Sequence, residues 1–231
     1  MLVIIAIIAI LLALLLPVLS AGKERAKRTV CSNNLGQINL GVHLYSDDSN
    51  DRSPAAGKDT VHPLTNYRTI IQGFIGQNGQ PSPDDKLFAC PSDTFHYHVE
   101  NGQATFVSKS MHAESSTYYS SYAFNGVNEW TNLVARLTNR PLPGIAGRAL
   151  SSIRHPTKTV LVAEDPAFLP FSWHKPKQPI TDPANRAFNN AMDMISFVDG
   201  HVAYIKMFWN GHWLSTTYDP PGEYDYQWSG E

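Results

Sequence analysis

The residues best suited to chemistry in this sequence are two cysteines, three clustered histidines and a few acidic groups. Cys31 and Cys90 are the only cysteines. An even, small number in a chain that begins with an export-type apolar segment permits one disulfide, and two unrelated buried thiols would leave the same count. His96, His98 and His112 invite a metal reading, because His-x-His places both rings on one face of a strand. No Cys, Asp or Glu stands at a familiar third-ligand spacing, so the pattern reads as a solvent-facing strand or loop rather than a zinc site. Asp47, Asp48 and Asp51 offer oxygen ligands for calcium. The turn has no glycine and no closing Glu, which excludes an EF-hand. The bland reading is a solvated acidic turn, although acids at a helix C-terminus oppose its dipole and favour a compensating cation. Glu164 and Asp165 are adjacent, so on a strand they point to opposite faces. They read as the exit from a core strand. No nucleophile–base pair or metal-ligand spacing stands out, and the expectation is that the protein is not an enzyme.

The elements that must hold these residues begin with Met1–Leu19, an uncharged apolar run (residues 1–19) that includes Ile5, Ile8, Leu12, Leu15 and Pro17. Leu2–Leu19 as a helix spans about 27 Å, close to the ~30 Å of a bilayer core. Lys23, Arg25, Lys27 and Arg28 follow at once, opposed by Glu24. A cleaved signal peptide fits poorly, since no basic residue precedes the core and the core is long. A plain membrane anchor would keep the basic cluster, and the body with it, in the cytoplasm. Ala26, Val30, Leu35, Ile38, Val42 and Tyr45 continue one helical face through residues 20–50. The whole helix, Leu2 to about Ser46, is then roughly 65–70 Å long, with a kink or local melting expected at Pro17.

Most of the chain's 16 Pro and 15 Gly fall in residues 51–231, which read as a loop-rich, short-stranded body. YRTIIQGF (67–74) reads as a short helix and TVLVA (159–163) as a buried strand. Asn101-Gly102 and Asp199-Gly200 each sit between strand formers and predict hairpins, the second of type I′. Asp199 therefore reads as structural. The tail is aromatic: Phe208 and Trp209 are expected to cap the sheet, and Trp213, Tyr224 and Trp228 to contact other subunits or glycans. Net charge is −2 and only 16% of residues are charged, so no nucleic-acid partner is expected.

IAIIAILLALLLP (5–17) resembles the N-terminal segment of type IV pilins and type II secretion pseudopilins. Cys31, Asn33, Asn34, Leu35, Gln37, Leu44, Tyr45, Asp47 and Asp48, then Cys90-Pro91-Ser92-Asp93, then Asp199-Gly200-His201-Val202, resemble more narrowly the prepilin-like proteins of planctomycetes and verrucomicrobia. The resemblance implies an α+β fold, with a long N-terminal helix carrying a β-rich head, and a Cys31–Cys90 disulfide. Such a bridge would stabilise by about 3–4 kcal/mol. It also implies a helical homo-oligomeric filament, a stage in the inner membrane with the head outside, and a pilus or secretion assembly machinery as partner. The family's basic leader and Phe-Thr-Leu-Ile-Glu-type start would precede Met1, which is expected to be an internal methionine. The family's His upstream of Asp-Gly-His-Val is Asn189 here, so a role resting on that His is not expected.

Overall fold

The computed structural model describes residues 2–55, 64–100, 103–129, 142–169, 171–175, 190–209 and 218–231. Its architecture is α+β. One helix, α1 (Leu2–Asp48), runs the length of the molecule, about 70 Å at 1.5 Å per residue. The local melting expected at Pro17 does not occur: the helix continues through it. Proline removes one N–H and one bond to the preceding turn, while the helix on either side continues. Ser20 Oγ donates to the Pro17 carbonyl at 3.0 Å.

The two halves of α1 have opposite surroundings. All of 2–19 is exposed, whereas Cys31, Asn34, Leu35, Ile38, Asn39, Gly41, Val42 and Ser46 are buried against the head. The expected face is corrected at its start, because Ala26 and Val30 are exposed. The head first touches the helix at the half-buried Arg28 and buries it fully from Cys31, and two asparagines share the covered stripe with the apolar residues. Gly41 permits the closest approach. A Cβ there would collide with Ile75 Cγ2 in the 3-10 turn Gln72–Ile75, which extends the short helix α2 (Tyr67–Ile71).

The head is built on two antiparallel sheets. A hairpin pairs β1 (His96–Glu100) with β2 (Gln103–Val107). The main sheet has the order β3-β4-β5-β6, from β3 (Tyr122–Phe124), β4 (Val160–Glu164), β5 (Ala191–Phe197) and β6 (Val202–Met207). β4 is buried along its whole length, as its continuous apolar run requires of a strand covered on both faces. One core cluster joins Leu161, Val162 and Met194 to Leu35, Ile38 and Val42 of α1. A second cluster joins Ala163, Ile195 and Phe197 to Phe168, Tyr226 and Trp228. The chain's end is sewn to the sheet: Val160 N–H donates to Gln227 O at 3.0 Å, and Asn125 Nδ2 donates to Val160 O and Trp228 O, both at 2.8 Å.

The β5–β6 connection differs from the expected type I′ turn. Gly200 N–H donates to Phe197 O and Phe197 N–H donates to His201 O, both at 3.0 Å. This is a three-residue loop, Val198–Gly200, with only Gly200 left-handed at φ +97°. Such a loop closes on a glycine bulge rather than on two left-handed residues. Asp199 Oδ1 instead accepts from His201 N–H at 3.2 Å and contacts His201 Nδ1 at 2.6 Å. The imidazole stacks on Phe197, with centroids 4.2 Å apart. Every residue of the Asp-Gly-His stretch is thus occupied in shaping the turn. Asn101-Gly102 lies outside the described residues.

Candidate functional site

Two features invite a functional reading: the uncovered end of α1 and a polar cluster beneath its covered end. Of residues 2–19, fourteen are large and apolar with at least half their surface exposed, from Leu2 at 85% to Leu19 at 65%. The other four are Ala6, Ala9, Ala13 and Pro17, at spacings of three and four that align them along one side. This is the one helix among the described residues long and apolar enough to cross a membrane. It has no polar stripe. A helix apolar on every side needs apolar surroundings on every side.

The cluster starts from the disulfide Cys31–Cys90, whose Cα atoms are 5.2 Å apart. It ties α1 to the segment after the 3-10 turn Lys86–Phe88. One turn further along α1, Asn34 Nδ2 donates to Lys86 O and Ala89 O, both at 3.1 Å. Covalent bond and amide therefore grip the same five residues. Cys90 N–H donates to Ser121 Oγ at 3.0 Å, and Ser121 Oγ donates to Asp93 Oδ2 at 2.7 Å. Asp93 also accepts the N–H groups of Met111 (2.9 Å) and His112 (3.0 Å). The Cys-Pro-Ser-Asp stretch thus folds around a buried carboxylate that is fully used as an acceptor.

Glu164 corrects the expectation for the end of β4. It is fully buried rather than an exit from the core. Its Oε2 accepts Met194 N–H at 2.9 Å, where the β4–β5 ladder would otherwise continue. Its Oε1 lies 3.0 Å from Cys90 Sγ and 2.9 Å from His174 Nε2. The His174 side chain is 2% exposed. Ser172 Oγ orients its backbone by accepting the N–H groups of His174 and Lys175 at 2.9 Å, while donating to Met192 O at 2.6 Å. The imidazole stands edge-on to Tyr204, and the Arg28 guanidinium of α1 lies 4.8 Å over the other ring's centroid. A chain of contacts therefore runs from the α1 surface through Tyr204 and His174 to Glu164 and the sulfurs. Nearby Asp193 is fully buried, and neither of its carboxylate oxygens has a partner among the described residues. Burial, then the charges of Glu164 and Asp165, raise its affinity for a proton well above an ordinary carboxylate's.

His174 was the residue sequence reasoning missed, because it stands alone in a loop far from either cysteine. The histidines singled out by spacing do not converge. His96 Nδ1 contacts Lys109 O at 2.9 Å and His112 Nδ1 contacts Asp93 Oδ2 at 3.3 Å. The His98 side chain lies outside the described residues. Among the described residues Asp47, Asp48 and Asp51 do not form a ligand group. Asp51 is spent on Ser151, whose N–H and hydroxyl both donate to it.

Of the tail aromatics, Trp228 is fully buried against Phe168, 4.9 Å between centroids, and is core rather than a contact surface. Its place was set by the tail folding back beside β4, which no local pattern announces. Tyr224 is half-buried and donates to Asn190 Oδ1 at 3.0 Å. Trp213 and Asn189 lie outside the described residues. Comparison of the chain with protein-family models, curated proteins and solved structures returned no match.

Proposed function

We propose that this protein is a structural subunit that assembles through its N-terminal helix, as a pilus-like or secretion-pseudopilus-like filament, after residing in a membrane with its head on the extracytoplasmic side. The observation that carries the reading is the bare, all-round apolar surface of 2–19, continuous with a helix whose other half is built into a head. Burying one such Leu, Ile or Val contributes about 1.5–3 kcal/mol, and fourteen are bare. Docking on one face of a single partner would leave the rest in water. A bilayer or a bundle of identical helices surrounds the segment completely. The alanine side allows close approach between helices, where van der Waals packing must replace the hydrophobic drive once lipid is the solvent. The disulfide supports an oxidising compartment for the head.

The test is removal of detergent from the purified full chain, followed by electron microscopy. Filaments with the helices bundled at the axis are expected, and a chain starting at residue 21 should remain a soluble monomer. A full-length chain that enters lipid nanodiscs one copy at a time and never polymerises, even with its assembly machinery coexpressed, would refute the filament and leave an anchored monomer.

A further inference from the structure

We infer that Cys31, Cys90, Glu164 and His174 form a second, alternative closure of the head onto α1: in the reduced chain they bind one borderline-soft divalent metal ion of the zinc class, and disulfide and metal exclude one another. Sγ of each cysteine, a Glu164 carboxylate oxygen and a His174 ring nitrogen all lie within 4.8 Å of one another. A tetrahedral zinc with sulfur at about 2.3 Å and nitrogen or oxygen at about 2.0 Å holds its donors about 3.2–3.8 Å apart. The two sulfurs must part, and the other donors, already within 4.8 Å of one another, must adjust by about 1 Å or less. Two sulfurs, one imidazole and one carboxylate suit zinc and its close neighbours, and not calcium or magnesium.

Each donor comes from a separate, already fixed support. Cys31 belongs to α1, and Cys90 to the segment that Asn34 and Ser121 hold. Glu164 Oε2 is fixed by Met194 N–H, which leaves Oε1 directed at the sulfur and the imidazole. Such an outer hydrogen bond orients a ligating carboxylate. All four side chains are enclosed, which matches a closed structural site rather than a catalytic one with an open position.

The disulfide by itself does not account for these neighbours. A disulfide is satisfied among apolar side chains and needs no ionisable neighbour, yet Glu164, held by Met194 N–H and His174, also sets Oε1 3.0 Å from Cys90 Sγ. An imidazole and a carboxylate converging on two sulfurs are what a metal requires.

The exchange balances. A dithiol or phosphine reductant delivers two electrons, two protons are taken up, the S–S bond breaks and two thiols form. Metal binding then releases both thiol protons to solvent as two S–metal bonds form, with Glu164 as carboxylate and His174 neutral. Oxidation by a disulfide-forming oxidant removes two electrons, re-forms S–S and ejects the ion. A newly made chain, still reduced, would hold its head on α1 with metal before the disulfide replaces it.

The experiment uses the full chain in detergent, reduced with a phosphine, desalted without oxygen, and titrated with Co(II) and then Zn(II). One equivalent should bind, with the intense visible bands of tetrahedral cobalt–thiolate coordination, and zinc should displace it. The oxidised chain should bind none. Zinc should slow maleimide labelling of the reduced cysteines at least tenfold. Glu164→Gln and His174→Gln should each weaken cobalt binding at least tenfold while still forming the disulfide when oxidised. Absence of the cobalt bands in the reduced wild type, equal binding by the oxidised chain, or unchanged affinity in both variants would overturn the proposal. If a variant does not fold, the wild-type spectrum and labelling protection decide alone.

Discussion

Asn39 of α1 donates through Nδ2 to the main-chain oxygen of Phe197, 2.7 Å away and 158 residues later in the chain. The same oxygen accepts Gly200 N–H at 3.0 Å. A single carbonyl therefore joins the helix to the tip of the β5–β6 hairpin. Asn39→Leu should destabilise the head by about 1–2 kcal/mol, since a buried acceptor loses one partner and keeps the other. Asn39→Asp should cost more, because it sets a carboxylate against a carbonyl. Thermal unfolding of the two variants checks the order.

Gly200→Val should cost about 1–2 kcal/mol, because φ +97° is poorly accessible to a branched residue. Gly200→Asn should be tolerated better, and Asp199→Ala should fall within about 1 kcal/mol. Urea midpoints would show this ranking, and a larger loss for Asp199→Ala would contradict the purely structural reading of that residue.

Arg68 is a second anchor. Its guanidinium is buried, pairs with Asp85, donates to Tyr118 O and Tyr119 O, and lies 4.3 Å over the Phe88 ring. Both tyrosines have positive φ, at 52° and 53°. Arg68→Lys should lose at least about 2 kcal/mol, since an ammonium cannot present the same planar fork to three acceptors. Faster proteolysis within 110–120 in the variant is the local readout.

Asp193 predicts a pH dependence. Burial and the neighbouring Glu164 and Asp165 charges raise its pKa in the folded state, against about 3.9 unfolded. The folded state therefore holds this proton more tightly. The stability it contributes is complete below about pH 4 and is lost as pH rises through the raised folded value. Asp193→Asn should remove that slope and be more stable than wild type at pH 9, by about 1–3 kcal/mol. Melting curves at pH 5 and pH 9 test the sign.

Reduction of Cys31–Cys90 in the absence of metal should cost about 4 kcal/mol for a loop closing over 59 residues. The melting temperature after phosphine treatment in the presence of a chelator measures it, and Cys31→Ser should match.

The sequence exposed the long helix, the buried strand Val160–Glu164 and the glycine turn, because each is written in local periodicity or backbone chemistry. Leu35, Ile38 and Val42 were legible as a face for that reason. Asn34 and Asn39 were not, because their amides serve carbonyls more than 50 residues away. Glu164 looked like a polar exit because strand alternation says nothing about a side chain that turns in its own plane to replace a ladder bond. The cysteine pairing was implied by resemblance and is present. His174, Trp228 and Arg68 owe their places to long-range packing, which leaves no spacing signature.

The unbroken course of α1 has a geometric consequence for any assembly. Because the helix is continuous from Leu2 to Asp48, the azimuth of the head is coupled to that of the apolar end through the helical repeat. Each residue inserted between Leu19 and Arg28 would rotate one against the other by about 100° and separate them by about 1.5 Å. A seven-residue insertion would return the phase to within about 20° while adding about 10 Å of length. The helix works as a torsion shaft: in an assembly made through the apolar end, the phase chosen there would decide the direction in which a head faces.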